Sequence, residues 1–186
     1  EHFAKPAPAS AVQTRTTGRC PFDCGLCPNH EQHTCIGLIE ITGTCDLRCP
    51  VCYASAGKGS LLSLDTFERM LDFAIESEGG RLEILQLSGG EPTLHPQLDK
   101  FIAVARAKPV SYILLNTNGL SFARNENLVR CLAEYHDRFE VYLQFDGLTD
   151  EPYQRLRGAP LAQAKLQALE ILSKNKIPTT LVMSVE

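Results

Sequence analysis

No apolar run in the chain approaches the ~18 residues that a membrane-spanning helix requires. No initiator methionine and no charged-then-apolar leader stand at its start, so secretory targeting is not visible in the sequence. Neither sign of charge forms a long block. The 18 basic and 22 acidic side chains leave a net charge of −4. A nucleic-acid partner would call for a clustered basic surface, and no such cluster is present in the sequence. The composition is that of an ordinary soluble protein, with 44% hydrophobic and 22% charged residues among 186. That length suits one sizeable hydrophobic core and not comfortably two.

Against this background the cysteines are concentrated. There are eight, at positions 20, 24, 27, 35, 45, 49, 52 and 131, and seven of them fall within 33 residues. An extracellular disulfide framework is one reading of an even count. The spacing favours another. C-x3-C-x2-C occurs twice, at 20/24/27 and again at 45/49/52. Short repeated gaps turn several sulfurs toward one metal centre, and thiolate ligands of that kind suit a reducing, cytoplasmic compartment.

Residues 1–19 are rich in Ala, Pro, Thr and Ser and read as an arm or linker. Residues 20–35 form a compact Cys/His segment that includes His30 and His33, and residues 36–186 then alternate between strands and helices. The predicted strands are 36–41, 82–87, 111–115, 139–145 and 177–183. The strongest predicted helix spans 63–78. Phe67, Met70, Leu71, Ala74 and Ile75 form its apolar face, Ser63 or Asp65 caps it, and Gly79-Gly80 stops it. A second helix follows His95-Pro96, with Leu98, Phe101, Ile102 and Ala105 inward. A weaker one covers about 125–135. The last begins at Pro160, a favoured first-turn proline, with Ala162, Leu166 and Leu169 inward. Such alternation predicts a parallel sheet with helices outside it, either an open doubly wound sheet or a partial barrel. The final strand runs into the end of the sequence, so the expectation is a core incomplete at its C-terminus.

Four short motifs follow four of these strands. Cys45-Asp46-Leu47-Arg48-Cys49-Pro50-Val51-Cys52 comes after the first, Ser88-Gly89-Gly90-Glu91-Pro92 after the second, Thr117-Asn118-Gly119 after the third and Asp146-Gly147 after the fourth. In βα architectures the loops after strands form the functional face. Three thiolates can hold three irons of a four-iron cluster and leave the fourth iron open to a small molecule. A structural zinc site is the plainer reading, but it wants a fourth protein ligand, and none follows Cys52 nearby. Each of the other turns is common when taken alone. Cys131 reads as a small buried hydrophobe, His95 as a helix starter, and Arg155 and Arg157 as solvated residues or, alternatively, anion holders.

Taken together, these motifs resemble the radical S-adenosylmethionine (SAM) superfamily. The segment CPFDCGLCPNHEQHTC before the first strand is similar to the archaeal pterin-methylase and tetraether-lipid-synthase branch. That resemblance covers about residues 18–186. It implies a partial (β/α) TIM-like barrel and a [4Fe-4S] cluster on Cys45, Cys49 and Cys52. It places Gly89, Gly90 and Glu91 at the amino end of the SAM methionine moiety, with the glycines letting backbone approach the ligand. Asn118 and Asp146 are expected at its carboxylate or ribose. The family usually carries an aromatic just before the third cysteine; Val51 stands there, and Tyr53, just after, is the cofactor-binding candidate.

The resemblance further implies methylation or C–C coupling at an unactivated carbon of a pterin- or lipid-like substrate, with an electron donor such as ferredoxin or flavodoxin. A radical SAM activase or peptide-modifying enzyme shares the same core. A structural metal-binding module is the alternative outside enzymes. Cys20, Cys24, Cys27 and Cys35 have the spacing of a second site, for an iron–sulfur cluster, a mononuclear iron or zinc. A six-residue strand rises roughly 20 Å, so the two metal sites are expected near opposite ends of the first strand. The N-terminal one would then serve structure or electron entry.

Overall fold

The computed structural model describes residues 16–17, 20–21, 36–52, 57 and 59–184. The chain divides into two units, Glu1–Thr34 and Cys35–Glu186. In the first, β1 (Thr16–Thr17) pairs antiparallel with β2 (Cys20–Pro21), Thr17 opposite Cys20. The expected ligands Cys24, Cys27 and Cys35, both His30 and His33, and Tyr53 lie outside the described residues.

The second unit is built on five parallel strands: β3 (Ile36–Thr42), β4 (Leu82–Gly89), β5 (Val110–Thr117), β6 (Phe139–Gln144) and β7 (Thr179–Val182). Their order in the sheet is their order in the chain. A doubly wound sheet reverses direction at a switch point, and this sheet does not. Parallel strands in chain order, joined by helices that share one core with them, form the arrangement of a barrel wall.

The strands alternate accordingly. Ile39, Ile41, Leu85, Leu87, Ile113, Leu115, Val141 and Leu143 are buried in the core shared with the helices. The intervening positions, among them Glu40, Gln86, Asn116 and Gln144, fall on the other face.

The helices show where periodicity suffices and where it does not. In α1 (Leu64–Ser77), Phe67, Leu71 and Ile75 are buried, whereas Met70 is 43% exposed, which corrects its place on the apolar face. The Ser63 hydroxyl accepts from Thr66 N at 3.2 Å, making Ser63 rather than Asp65 the cap. Ser63→Ala is therefore expected to lower stability by about 1 kcal/mol, read from urea denaturation. Gly79 and Gly80, at φ of +72° and +103°, end the helix through amides bonded to Glu76 and Ile75 carbonyls.

Helix α2 (Leu98–Ala107) buries the four residues its spacing predicts, and His95 precedes it, its Nδ1 accepting from Gln97 N at 3.1 Å. Helix α3 (Glu126–Ala133) starts under Asn125. Cys131 on it is half-buried rather than buried.

Sequence periodicity did not reveal α4 (Asp150–Arg157). It is mostly polar and rests on two buried residues, Tyr153 and Leu156. Its signal is local: acids and a proline in the first turn, and Gly158 at φ +75° after the last.

Helix α5 (Ala162–Lys174) starts two residues beyond Pro160. Asp150 accepts from Ala162 N at 2.8 Å, supplying the cap that Leu161 lacks. Its inward residues are Ala162, Lys165, Ala168 and Leu172; Leu166 is exposed and Leu169 only partly buried. The predicted face is thus rotated by about one position, because an apolar count passes over a lysine. Among the described residues no helix is long and apolar enough to cross a membrane.

Candidate functional site

The cysteine loop leaves the C-terminal end of β3 and is closed at its base. Gly43 N donates to Ser60 O at 3.2 Å, Gly57 N to Gly43 O at 3.0 Å and Leu62 N to Ile41 O at 2.9 Å. At this crossing two glycines meet backbone to backbone. A Cβ on Gly59 would lie 2.3 Å from Gly43 Cα, and one on Gly43 would lie 2.6 Å from Gly59 Cα. Neither position has room for a methyl group. Gly59→Ala should therefore open the loop at a cost of roughly 1–3 kcal/mol and lower iron content after reconstitution, as read by iron and sulfide assay.

Within the loop, Cys52 N bonds to Cys49 O at 3.2 Å and Leu47 N donates to Cys45 Sγ at 3.4 Å. Leu47 anchors it in a small apolar cluster with Leu120, Tyr153, Leu161 and Ala162. Burial pushes the Cys45 thiol up, partly countered by the Leu47 amide.

The Gly89-Gly90-Glu91 turn packs against this loop. A Cβ on Gly89, whose φ is +133°, would lie 2.2 Å from Thr42 O; one on Gly90 would lie 2.3 Å from Thr44 O. Gly90 N and Glu91 N bond to those same two carbonyls, each at 2.7 Å. The glycines thus let the turn dock on the start of the cysteine loop, a structural demand beside the ligand approach expected of them.

Glu91 is 1% exposed. Its Oε1 accepts from Thr93 N (3.0 Å), Thr93 Oγ1 (2.6 Å) and Thr117 Oγ1 (2.6 Å), and its Oε2 from Asn118 N (2.7 Å). Burial pushes its carboxyl up against the pull of these donors. The carboxylate ties the end of β4 to the end of β5.

Asn118 extends the connection: its Nδ2 donates to Asp46 Oδ1 at 2.8 Å and its Oδ1 accepts from Leu120 N at 2.9 Å. Beyond β6, Asp146 is held bidentately by Arg157, with Nε to Oδ2 at 2.7 Å and Nη2 to Oδ1 at 2.8 Å. Burial alone would raise this carboxyl, but Arg157 and Ser184 N hold it below its ordinary value. Arg157 also reaches Cys49, and is paired and largely buried rather than solvated.

These loops enclose a cavity of about 130 Å³ lined by Cys45, Cys49, Cys52, Gly89, Gly90, Glu91, Asn116, Thr117, Asn118, Gln144 and Arg157, among others. Among the described candidates, all three cysteines, both glycines, Glu91 and Asn118 come together there. Asp146 does not line it; its partner Arg157 does. Sequence reasoning missed Asn116 and Gln144, polar residues on the inward-alternating face of β5 and β6. It also missed Lys165, which is fully buried.

A wider groove of about 700 Å³ lies beside α2 and α3, with Asp46, His95, Ser121 and Cys131 on its walls, but none of the three clustered cysteines. Among the described residues no three His, Cys, Asp or Glu side chains converge tightly enough for a single metal ion. The three thiols line one cavity. Among the described residues no fourth cysteine lines it, so the donor set suits a cluster with one open iron.

Comparison with known proteins agrees with this geometry. The Radical SAM superfamily model matches residues 39–185. A 7,8-dihydro-6-hydroxymethylpterin dimethyltransferase of Methanocaldococcus jannaschii is 37% identical over 168 residues, covering 88% of this chain and 32% of that protein. A mycofactocin maturase of Mycobacterium ulcerans is 31% identical over 134 residues, covering 72% of this chain and 35% of its own length. The chain spans about a third of the curated relatives it matches.

Among solved structures, Streptococcus suis SuiB bound to S-adenosylmethionine superposes with a TM-score of 0.65 at 17% identity, over 80% of this chain and 32% of that one. Native anSMEcpe with bound AdoMet and Cp18Cys peptide gives 0.63 at 23%, over 80% and 42%. Both share the partial barrel. Radical SAM proteins are enzymes that use a [4Fe-4S] cluster and S-adenosylmethionine. By the family match, and with three thiols, a glycine-glycine-glutamate turn and a parallel sheet in chain order around one cavity, this chain belongs to the radical SAM superfamily.

Proposed function

We propose that the cavity at the C-terminal ends of β3 to β6 is where this chain holds its cofactors. Cys45, Cys49 and Cys52 each ligate one iron of a [4Fe-4S] cluster, and the fourth iron is left for SAM. The observation that carries this reading is the lining itself: three thiols share one cavity wall with the Gly89-Gly90-Glu91 turn and Asn118. When bound, the cluster and SAM together supply a one-electron cleavage to methionine and a 5′-deoxyadenosyl radical, which removes hydrogen from an unactivated C–H bond.

The chain's own residues bind and orient. Gly89 and Gly90 present backbone at the cavity wall, with Glu91 setting the turn that carries them. Asn116 and Asn118 offer amide groups toward the methionine or ribose end. Arg157, already neutralised in part by Asp146, offers a cation near Cys49 for the SAM carboxylate. Asp146 acts here through Arg157. Tyr53 remains the proposed adenine-side residue. No protein general base is assigned.

For the reaction, we favour methylation or C–C bond formation on a pterin- or lipid-like substrate. The 37% identity to a pterin dimethyltransferase supports it and extends over 88% of this chain, into the Cys-rich segment. Cys20, Cys24, Cys27 and Cys35 are proposed as a second metal site, for an iron–sulfur cluster, iron or zinc. A low-potential donor such as ferredoxin or flavodoxin, in a reducing cytoplasm, fits this chemistry.

A second reading is modification of a peptide by the same core; the 31% identity to a mycofactocin maturase keeps chemistry other than pterin methylation in view. An anaerobic assay of the reconstituted full-length protein with SAM, reductant and either a pterin or a peptide substrate separates the two. Methyl transfer or coupling to the pterin is expected. Turnover on peptide alone would favour the second reading.

A further inference from the structure

We propose that Lys165 is a positioning residue for the SAM site: its buried ammonium ties the ends of β5 and β6 together and, through Gln144 and Asp146, holds Arg157 in the cavity. The inference rests on the reading of that cavity as the SAM site.

Lys165 lies on the inward face of α5, between Ala162 and Ala168, where an aliphatic residue would complete the stripe. It is 0% exposed. Its Nζ donates to Asn118 O at 2.5 Å and to Gln144 O and Oε1, each at 3.0 Å. Three donors meet three acceptors, which saturates an ammonium. A neutral amine has two donors and a lone pair, so one oxygen would lose its partner and face the lone pair.

The contact to Gln144 Oε1 also fixes that amide's orientation. It turns Nε2 toward Asp146, to which it donates, and Asp146 grips Arg157 bidentately. Lys165 does not line the cavity, yet Gln144, Asn118 and Arg157 all do.

The ammonium is costly to keep there. Burial pulls its pKa down to about 8, within reach of ordinary buffers. The charged groups facing it are Glu91 from the turn after β4, Asp146 beyond β6, Arg157 on α4 and Cys49 in the cysteine loop. The Tyr153 ring on α4 lies 5.8 Å from Nζ. The charge has a stated function in this arrangement, since an apolar residue would fill the space but leave both strand ends untied.

Equilibrium binding of radiolabelled SAM to the anaerobically reconstituted full-length protein tests this, in wild type and Lys165→Met, from below to above that pKa. At neutral pH the variant is expected to bind about tenfold more weakly, the loss of one to two hydrogen-bond equivalents. Wild-type affinity is expected to fall toward the variant's as pH rises; titration of the ligand is common to both proteins and cancels in their ratio. Equal affinities at neutral pH, or parallel pH profiles, would overturn the inference while leaving the SAM site in place. If Lys165→Met does not fold, the wild-type profile, corrected for the separately measured titration of free SAM, decides: its remaining affinity loss must share a midpoint with the Lys165 ε-¹³C resonance, and separate midpoints would overturn the inference. A wild-type protein with full iron and sulfide that binds no SAM at any pH would remove the cofactor reading itself, and this inference with it.

Discussion

Cys49→Ala is expected to abolish 5′-deoxyadenosine formation from SAM, with no measurable activity above the reductant-only control. Cys49 sits at the turn closed by the Cys52 N to Cys49 O bond, in contact with Arg157 and between the other two thiols in sequence. Removing one of three thiolates leaves two, too few to retain a cubane with a single open iron. The strands need not suffer. Cys49 is only half-buried, and the core packs through Ile39, Leu87, Leu115, Val141 and their helical partners. Far-UV circular dichroism should therefore match wild type while iron and sulfide content falls and the cluster's visible absorbance is lost. Retained SAM cleavage by this variant would sink the ligand assignment.

Glu91→Ala is expected to be the most destabilising single change at the site. The carboxylate is fully enclosed and satisfies two backbone amides and two hydroxyls. An unsatisfied buried donor costs about 1–3 kcal/mol. The hydroxyls can rotate toward other acceptors, but the amides of Thr93 and Asn118 cannot. The expected loss is thus roughly 2–6 kcal/mol from those two amides alone, a large part of the stability of a domain this size. Glutamine offers no rescue. Both carboxylate oxygens face an amide donor, so the NH2 of glutamine points at a donor whichever way it is turned. Urea denaturation should place wild type well above both variants, with Glu91→Ala lowest and Glu91→Gln close to it, since the glutamine oxygen can accept from only one of the two amides. A Glu91→Gln protein as stable as wild type would show that the carboxylate is not the hub of these loops.

The legible parts of the fold were those where one physical rule dominates. The short apolar, β-rich runs at 82–87 and 111–115 located strands to within two residues, because the strands of a parallel sheet are largely buried. The stripe Leu98, Phe101, Ile102, Ala105 located α2 without error. The rule failed where burial is polar. Lys165 occupies a core position of α5, so an apolar count rotated that helix onto Leu166 and Leu169. Helix α4 carries too few apolar residues to register, and with it the geometry of Arg157 was lost.

The site was legible as motifs but not as a network. Gly89, Gly90, Glu91 and Asn118 were found from the turns that contain them. The sequence could not show that Glu91 spends its lone pairs on Thr93, Thr117 and Asn118, or that Arg157 takes Asp146 and faces the cavity in its place. Those pairings span 26 residues between Glu91 and Thr117 and 11 between Asp146 and Arg157. They depend on parallel strands bringing successive loops to one edge, which no local pattern records. The glycine pair Gly43 and Gly59 belongs to the same class: two unremarkable residues in sequence, backbone to backbone in space.

We propose that three thiols and the turns after β4 and β5 form one SAM-cleaving centre. Its most direct test is quantitation of 5′-deoxyadenosine and methionine after anaerobic incubation of the reconstituted full-length protein with SAM and a one-electron reductant. The expected result is reductant-dependent formation of both products in equal amounts. A protein that carries its full complement of iron and sulfide yet forms neither product would contradict the claim.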